Sequence, residues 1–381
     1  MQFNNSIGVS WVFFYLTVST VLANPVQLLK ATPSLPNPST FLKDNGTQWT
    51  IEYVGNIKFT GSMGTKGLGG DKCRSSYLGG KYLWNCGDMQ CKSDYTVCGF
   101  NMGPGFYGTG DVMTINASAY DNIADYQFAG PWKKDPKPVS PQWAYGMDTS
   151  NVAPINATTG VAYVWEITRG ASDGSYVDQG AGIVAVTLGK HKPIATRVGP
   201  LLTGSDAIQV GLLAIMRDGN YIYSYSSAGA LGNLIVGRVA ANQDAFDAKK
   251  YQFLKSPASA SSAPVWVSGI PTKKNASQYG MRSGDSNGMF GCDVYGSVFW
   301  NNYLKKYMII CTIYMDTTNF YTADKPWGPW SAQYKFLKDG GWKGYGVSAH
   351  PAYSPGGSHK TLYFSQGPNG VFNTFKVTFG Y

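Results

Sequence analysis

Two aspartates frame the first glycine-rich hairpin of this chain. Asp71 closes the run Gly69-Gly70-Asp71, and Asp88 follows Gly87 at the end of SSYLGGKYLWNCGD. A hairpin returns to the end from which it starts, so a residue before its first strand and one after its second can share one mouth. Two carboxyl groups facing each other across a bond can hydrolyse a glycoside. One donates a proton to the leaving oxygen; the other attacks or activates water. Gly-Asp pairs are also ordinary turn chemistry, and that reading stands beside the catalytic one.

Other residues could join them. Glu166 lies in AYVWEITRG, an otherwise apolar strand where a carboxylate is costly unless paired or functional. Alternation places it on the opposite face from Trp165, with Arg169 in reach as a partner. Asp206 (TGSDAIQ) and Asp293 (GCDVYG) each precede a strand-like run, as Asp71 does, and are third-acid or turn residues. Of the three histidines, His350 follows a strand and reads most simply as a hydrogen-bonded core residue. No cofactor is required by any motif, and no P-loop or HExxH is present. Trp84, Trp300, Trp327 and Trp330 offer faces on which sugar rings stack, or they pack in the core.

These residues need a scaffold, and composition limits its class. Only 14% of the 381 residues are charged, against roughly 25% in an average soluble chain. There are 47 Gly, 26 Tyr, 18 Phe and 11 Trp, and two glutamates, Glu52 and Glu166, which excludes a helical bundle or coiled coil. A hydrophobic content of 43% excludes disorder. Strand-like runs alternate with Gly, Asn and Asp turns from residue 50 onward, and residues 243–252 are the one short helical candidate. A hairpin of one kind recurs: a small-residue strand, a turn, then an aromatic-rich strand. It appears at 75–87, 211–229, 296–314 and 346–367, and less regularly at 162–188, with a long insert at 170–180. Five units of about 70 residues each fit four-stranded blades. The expected fold is therefore all-β, a single-domain five-bladed β-propeller over residues 50–381. Two β-sandwiches are the rival.

Several features point to export. Residues 1–23 read as a signal peptide, with an apolar stretch too short to span a membrane and a small-residue end at Val21-Leu22-Ala23. Residues 24–49 are a Pro/Ser-rich extended segment. Six cysteines and no zinc or redox motif imply disulfides. Cys292–Cys311 is the favoured bridge. Cys73–Cys86 with Cys91–Cys98 is the simplest of three pairings among the rest. Sequons at Asn45, Asn116, Asn156 and Asn275 mark exposed loops and N-glycosylation. The net charge of +9 is scattered in short lysine pairs, a solvated surface or one drawn to anionic matrix polymers. Secretion argues against nucleic acid and against a membrane role, and leaves a monomer handling polysaccharide or oligosaccharide.

Several stretches together resemble a known family. Gly69-Gly70-Asp71 and the hairpin ending at Asp88 resemble the opening blade of the secreted propellers grouped as domain of unknown function 4185. NLIVGRVAANQDAFDAKKYQF (233–253), SVFWNNYLKKY (297–307), PWGPWS (326–331) and GVSAHP (346–351) are similar to later stretches of that family, in the same order. The resemblance covers roughly residues 55–375. It implies a five-bladed propeller related to glycoside hydrolases that act on furanosides such as arabinans and fructans, with Asp71 and Asp88 as the active acids and with His350 as the central histidine that in related propellers helps hold a structural calcium. A non-catalytic sugar-binding propeller and a secreted wall- or host-interaction protein are the alternatives.

Overall fold

The computed structural model describes residues 48–380, apart from 93, 136, 138–142, 171–174, 228–232, 256–262, 294, 338–343 and 368–369. The expected signal peptide, the Pro/Ser-rich segment up to residue 47 and Asn45 lie outside the described residues. The described chain is all-β. Five sheets of four or five strands follow one another along the sequence, joined by a small three-stranded sheet.

The first sheet begins with Cys73–Leu78 and Lys81–Cys86, the second with Trp143–Thr149 and Ala153–Pro154 beside Gly160–Gly170, and the third with Ala214–Asp218 and Tyr221–Ser227. The fourth begins with Gly296–Asn301 and Lys306–Thr312, and the fifth with Ser348–Ala349 and Thr361–Gln366. The outermost strand of the fifth sheet is Gln48–Asn56, paired antiparallel with Asn373–Gly380, so the two ends of the described chain share a sheet. The small sheet joins Leu68–Gly70, Asp88–Cys91 and Phe100–Met102.

The five recurrent hairpins fall in five different sheets. Four of them are the first two strands of their sheet. The fifth, at 162–188, is displaced by one: Trp143–Thr149 and Ala153–Pro154 precede it as the inner edge. Of its expected insert at 170–180, the described residues are largely strand, since Gly160–Gly170 and Tyr176–Leu188 stay paired out to Arg169 and Tyr176; residues 171–174 lie outside the described residues. The helical candidate at 243–252 is two short 3-10 turns, Gln243–Phe246 and Ala248–Lys250, leading into Gln252–Leu254. Asn242 and Asp247 cap them, which explains the polar spacing that imitates a helix.

The small residues of the inner strands have a purpose. Neighbouring inner strands touch in a closed cycle: Cys73–Leu78, Ala153–Pro154, Ala214–Asp218, Gly296–Asn301, Ser348–Ala349 and back to the first. Where these strands approach one another, short side chains stitch the sheets together. Ser76 Oγ accepts the Val152 amide, the Asn151 side chain pairs with both backbone groups of Ile215, and Ser297 Oγ accepts the Ala349 amide. The aromatic second strands pack outward. Each junction between neighbouring sheets has its own apolar cluster; Phe320, Phe336 and Phe364 form part of that between the fourth and fifth.

Three disulfides form: Cys73–Cys86, Cys91–Cys98 and Cys292–Cys311, with Cα separations of 4.0, 5.7 and 5.2 Å. Cys292 lies in the segment leading into Gly296–Asn301 rather than on the strand itself, and bridges to the strand opposite. Asn116 and Asn156 are exposed, but Asn116 sits on a strand, and Asn275 is half-buried beside a 3-10 turn.

Candidate active site

Asp71 stands two residues before Cys73–Leu78, and the backbone ties it to Asp88. The Asp71 amide donates to the Asp88 carbonyl at 3.0 Å, and the Gly87 amide donates to the Lys72 carbonyl at 2.8 Å. The Cys73–Cys86 bridge lies directly beneath, so the two aspartates leave one covalently closed ladder side by side. Asp88 opens the strand Asp88–Cys91 instead of ending the hairpin's second strand.

Three more side chains come from residues that lead into other inner strands. Asp148 precedes Ala153–Pro154, Tyr295 precedes Gly296–Asn301, and Tyr345 precedes Ser348–Ala349. Tyr345 Oη donates to Asp71 Oδ2 at 3.1 Å, and Tyr295 Oη donates to Asp148 Oδ2 at 3.1 Å. The two rings meet edge to face at 6.1 Å, and Tyr314, half exposed, meets Tyr345 at 5.4 Å. Lys72 is buried. Its Nζ lies 2.8 Å from Asp148 Oδ1 and 4.2 Å from the Tyr295 ring centre. Two glycines make room for it. A Cβ on Gly87 would stand 3.1 Å from Lys72 Nζ. One on Gly346, at φ +58°, would stand 2.7 Å from Lys72 Cβ. Arg74 donates to the Thr149 carbonyl and, at 2.5 Å, to the Leu212 carbonyl, joining the first three sheets beneath Asp148.

The carboxyls differ in their partners. Arg169 donates to Asp88 Oδ2 at 2.7 Å, an ion pair at the rim where 27% of the Asp88 side chain is exposed. Burial would raise Asp148, but Lys72, then Arg74, pull it below the usual carboxylate range. Among the described residues, no cation within salt-bridge distance of Asp71 is found. Burial, and then the negative charge of Asp88, push it up to about 6, against the opposing pull of Lys72 and the Tyr345 hydroxyl. One carboxyl that holds its proton up to about pH 6 thus sits beside two that are paired with cations. That asymmetry supplies an acid and a base within one site.

The acid that joins Asp71 and Asp88 is Asp148. Glu166 pairs in register with Met147, while Asp148 pairs with Trp165, so Glu166 occupies the other face of the second sheet. There it is fully buried, and its partner is Arg197, at 2.7 Å, rather than Arg169. Arg197 also holds Asp135 at 2.9 Å; burial and that second carboxyl raise Glu166 to about 7. Asp206 is an exposed turn residue. Asp293 is half-buried beside the Cys292–Cys311 bridge, its amide donating to the Thr312 carbonyl.

His350 is fully buried, with Nδ1 2.8 Å from Ser75 Oγ and Nε2 2.9 Å from Ser365 Oγ; burial lowers it to about 3. Both ring nitrogens are engaged by hydroxyls, the core arrangement rather than that of a calcium ligand. Trp84 is also enclosed, donating to Tyr353 Oη, and Trp330 is buried against Met281. Trp300 and Trp327 keep partly exposed rings.

Asp148, Lys72, Tyr295 and Tyr345 are not singled out by the sequence, but a signal for the tyrosines exists. Both precede a glycine and then a small-residue strand, as Tyr-Gly-Ser-Val and Tyr-Gly-Val-Ser.

No family model matches the chain, and no curated protein matches it in sequence. Several solved structures are similar in shape. An exo-β-1,3-galactanase from Clostridium thermocellum matches 86% of this chain at 11% identity and a TM-score of 0.46; the chain spans 61% of that protein. A mutant Trypanosoma rangeli sialidase with trans-sialidase activity matches 91% at 11% identity and 0.39, and the chain spans 59% of it. An α-L-arabinofuranosidase from Podospora anserina, solved with cellotriose, matches 87% of this chain and 97% of its own length, at 11% identity and 0.39.

Proposed function

We propose that this chain is a secreted five-bladed β-propeller that hydrolyses glycosidic bonds in a furanoside-containing, arabinan-like polysaccharide, with Asp71 and Asp88 as its working pair. The closed cycle of inner strands supports the propeller, and the resemblance of the stretch from Gly69 to Asp88 to the 4185 group supports the furanoside class. The disulfides support secretion, and Asn45, Asn116, Asn156 and Asn275 are the proposed glycosylation sites.

The observation that carries the catalytic reading is the contrast in charge partners. Asp71 keeps a proton up to about pH 6, while Asp88 and Asp148 hold Arg169 and Lys72. Asp71 gives its proton to the departing glycosidic oxygen. Its new carboxylate is then stabilised by the Lys72 charge and the Tyr345 hydroxyl. Asp88, at the exposed rim, attacks the sugar carbon or takes a proton from water, and Arg169 orients it. Asp148 positions Lys72. The edge-to-face tyrosines Tyr295, Tyr345 and Tyr314 form an apolar wall for a sugar ring.

One observation favours a second reading, a sugar-binding propeller without turnover: the Asp88 carboxylate is already engaged by Arg169, which quiets it as a nucleophile. A screen of purified protein against arabinans, fructans, galactans and xylans, read by released reducing ends, separates the two. Release from a furanoside polymer supports the hydrolase. Retention of polymer with no release supports the binder.

A further inference from the structure

We propose that the wedge between the third and fourth sheets is a second glycan-binding site, distinct from the aspartate site and at the other end of the inner strands. Its position follows from register. Asp71, Asp148, Tyr295 and Tyr345 all precede their inner strands. Asp218 instead ends Ala214–Asp218 at the hairpin turn, opposite Tyr221, and Tyr307 stands one residue beyond the corresponding turn of the fourth sheet, opposite Trp300.

The third sheet brings Tyr223, Arg238 and Gln252 into direct register, with Tyr221 two residues along on the same face. Toward the strand interiors this face is sealed by Tyr225, Val236 and Leu254 against the fourth sheet. At the turn end it opens. Tyr221 is 38% exposed there, and the rings of Trp266, Trp327 and Tyr307 are only partly covered. Trp266 and Trp327 stand perpendicular at 5.8 Å, so they form two walls of a corner rather than a stacked pair.

Polar groups are interleaved with these walls. The Arg238 guanidinium lies 4.1 Å from the Trp266 ring centre, and its Nε and Nη2 both donate to Gln252 Oε1, at 3.1 and 3.0 Å. Tyr307 Oη donates to Asp218 Oδ2 at 2.8 Å. A cleft of aromatic faces with fixed, part-exposed donors and acceptors matches a sugar, which offers apolar C–H faces and a ring of hydroxyls. The inference rests on the carbohydrate reading for its ligand class, not on turnover.

The test is affinity electrophoresis of the full chain in gels containing soluble arabinan, with a polymer-free gel as reference. Wild type and Asp71→Asn should be slowed alike. Trp266→Ala and Tyr221→Ala should bind roughly tenfold more weakly, as expected for the loss of one ring contact together with its oriented neighbours. Both should still release reducing ends from short oligosaccharides. Tyr221, being exposed, guards against a folding defect at Trp266. The proposal is overturned if wild type is not slowed, if both aromatic variants are slowed like wild type, or if Asp71→Asn alone abolishes the retardation. Because retardation is read apart from turnover, an inactive but retarded protein would count against the hydrolase and not against this cleft.

Discussion

Replacing Asp71 by Asn should make the protein more stable, by an amount that depends on pH. Burial and the Asp88 charge raise this carboxyl from 3.8 to about 6 in the folded chain. Between those values the native state holds a proton that the unfolded chain has released, so stability falls as pH rises through the window and stays lower above it. A rise from 3.8 to about 6 corresponds to about 3 kcal/mol at pH 7 and above. Asparagine presents a neutral amide of nearly the same shape and keeps an oxygen for the Tyr345 hydroxyl. The variant should therefore exceed wild type by up to about 3 kcal/mol at pH 8, with the gap closing toward pH 4. Urea unfolding of both proteins at pH 4, 5, 6, 7 and 8 measures the gap directly. A variant that is less stable at pH 8, or a gap that does not change with pH, would refute the reasoning and return Asp71 to the role of a turn residue.

Lys72→Met should cost about 3–5 kcal/mol at pH 7, read from the urea midpoint, because Asp148 loses a buried cation 2.8 Å away. The same change removes a charge that lowers Asp71, so the alkaline limb of the activity profile should move to higher pH. Glu166→Gln should leave turnover unchanged, since Glu166 faces Arg197 and Asp135 on the other side of its sheet; a large loss of kcat would place it back in the site. Glu166 is raised from 4.5 to about 7, so any stability cost of Glu166→Gln should shrink as pH rises through 7.

Local chemistry made part of this arrangement legible in the sequence. The hairpins could be read because small residues, a turn and aromatics recur in one order along the chain. The Asp71–Asp88 juxtaposition could be read because a hairpin closes on itself. The disulfides match the favoured bridge and the simplest pairing of the other four cysteines, although Cys292 stands before its strand rather than on it. What the sequence hid depends on contacts between sheets. Asp148 meets Lys72 across a separation of more than seventy residues, and Tyr345 meets Asp71 from the far end of the chain. Glu166 stood out as the lone acid in an apolar strand, but its face was set by Arg197, two strands away. The offset of the second sheet was hidden because its inner edge, Trp143–Thr149, lies outside the recurrent hairpin.

The central claim is that Asp71 delivers the proton to the glycosidic oxygen, and kcat for reducing-end release from arabinan tests it most directly. With Asp71→Asn, kcat should fall by about 10²–10⁴-fold while the unfolding transition stays cooperative. In wild type the rate should decline as pH rises through about 6, when Asp71 loses its proton. An Asp71→Asn enzyme with the wild-type kcat, or a wild-type rate that climbs from pH 6 to pH 8, would contradict the assignment.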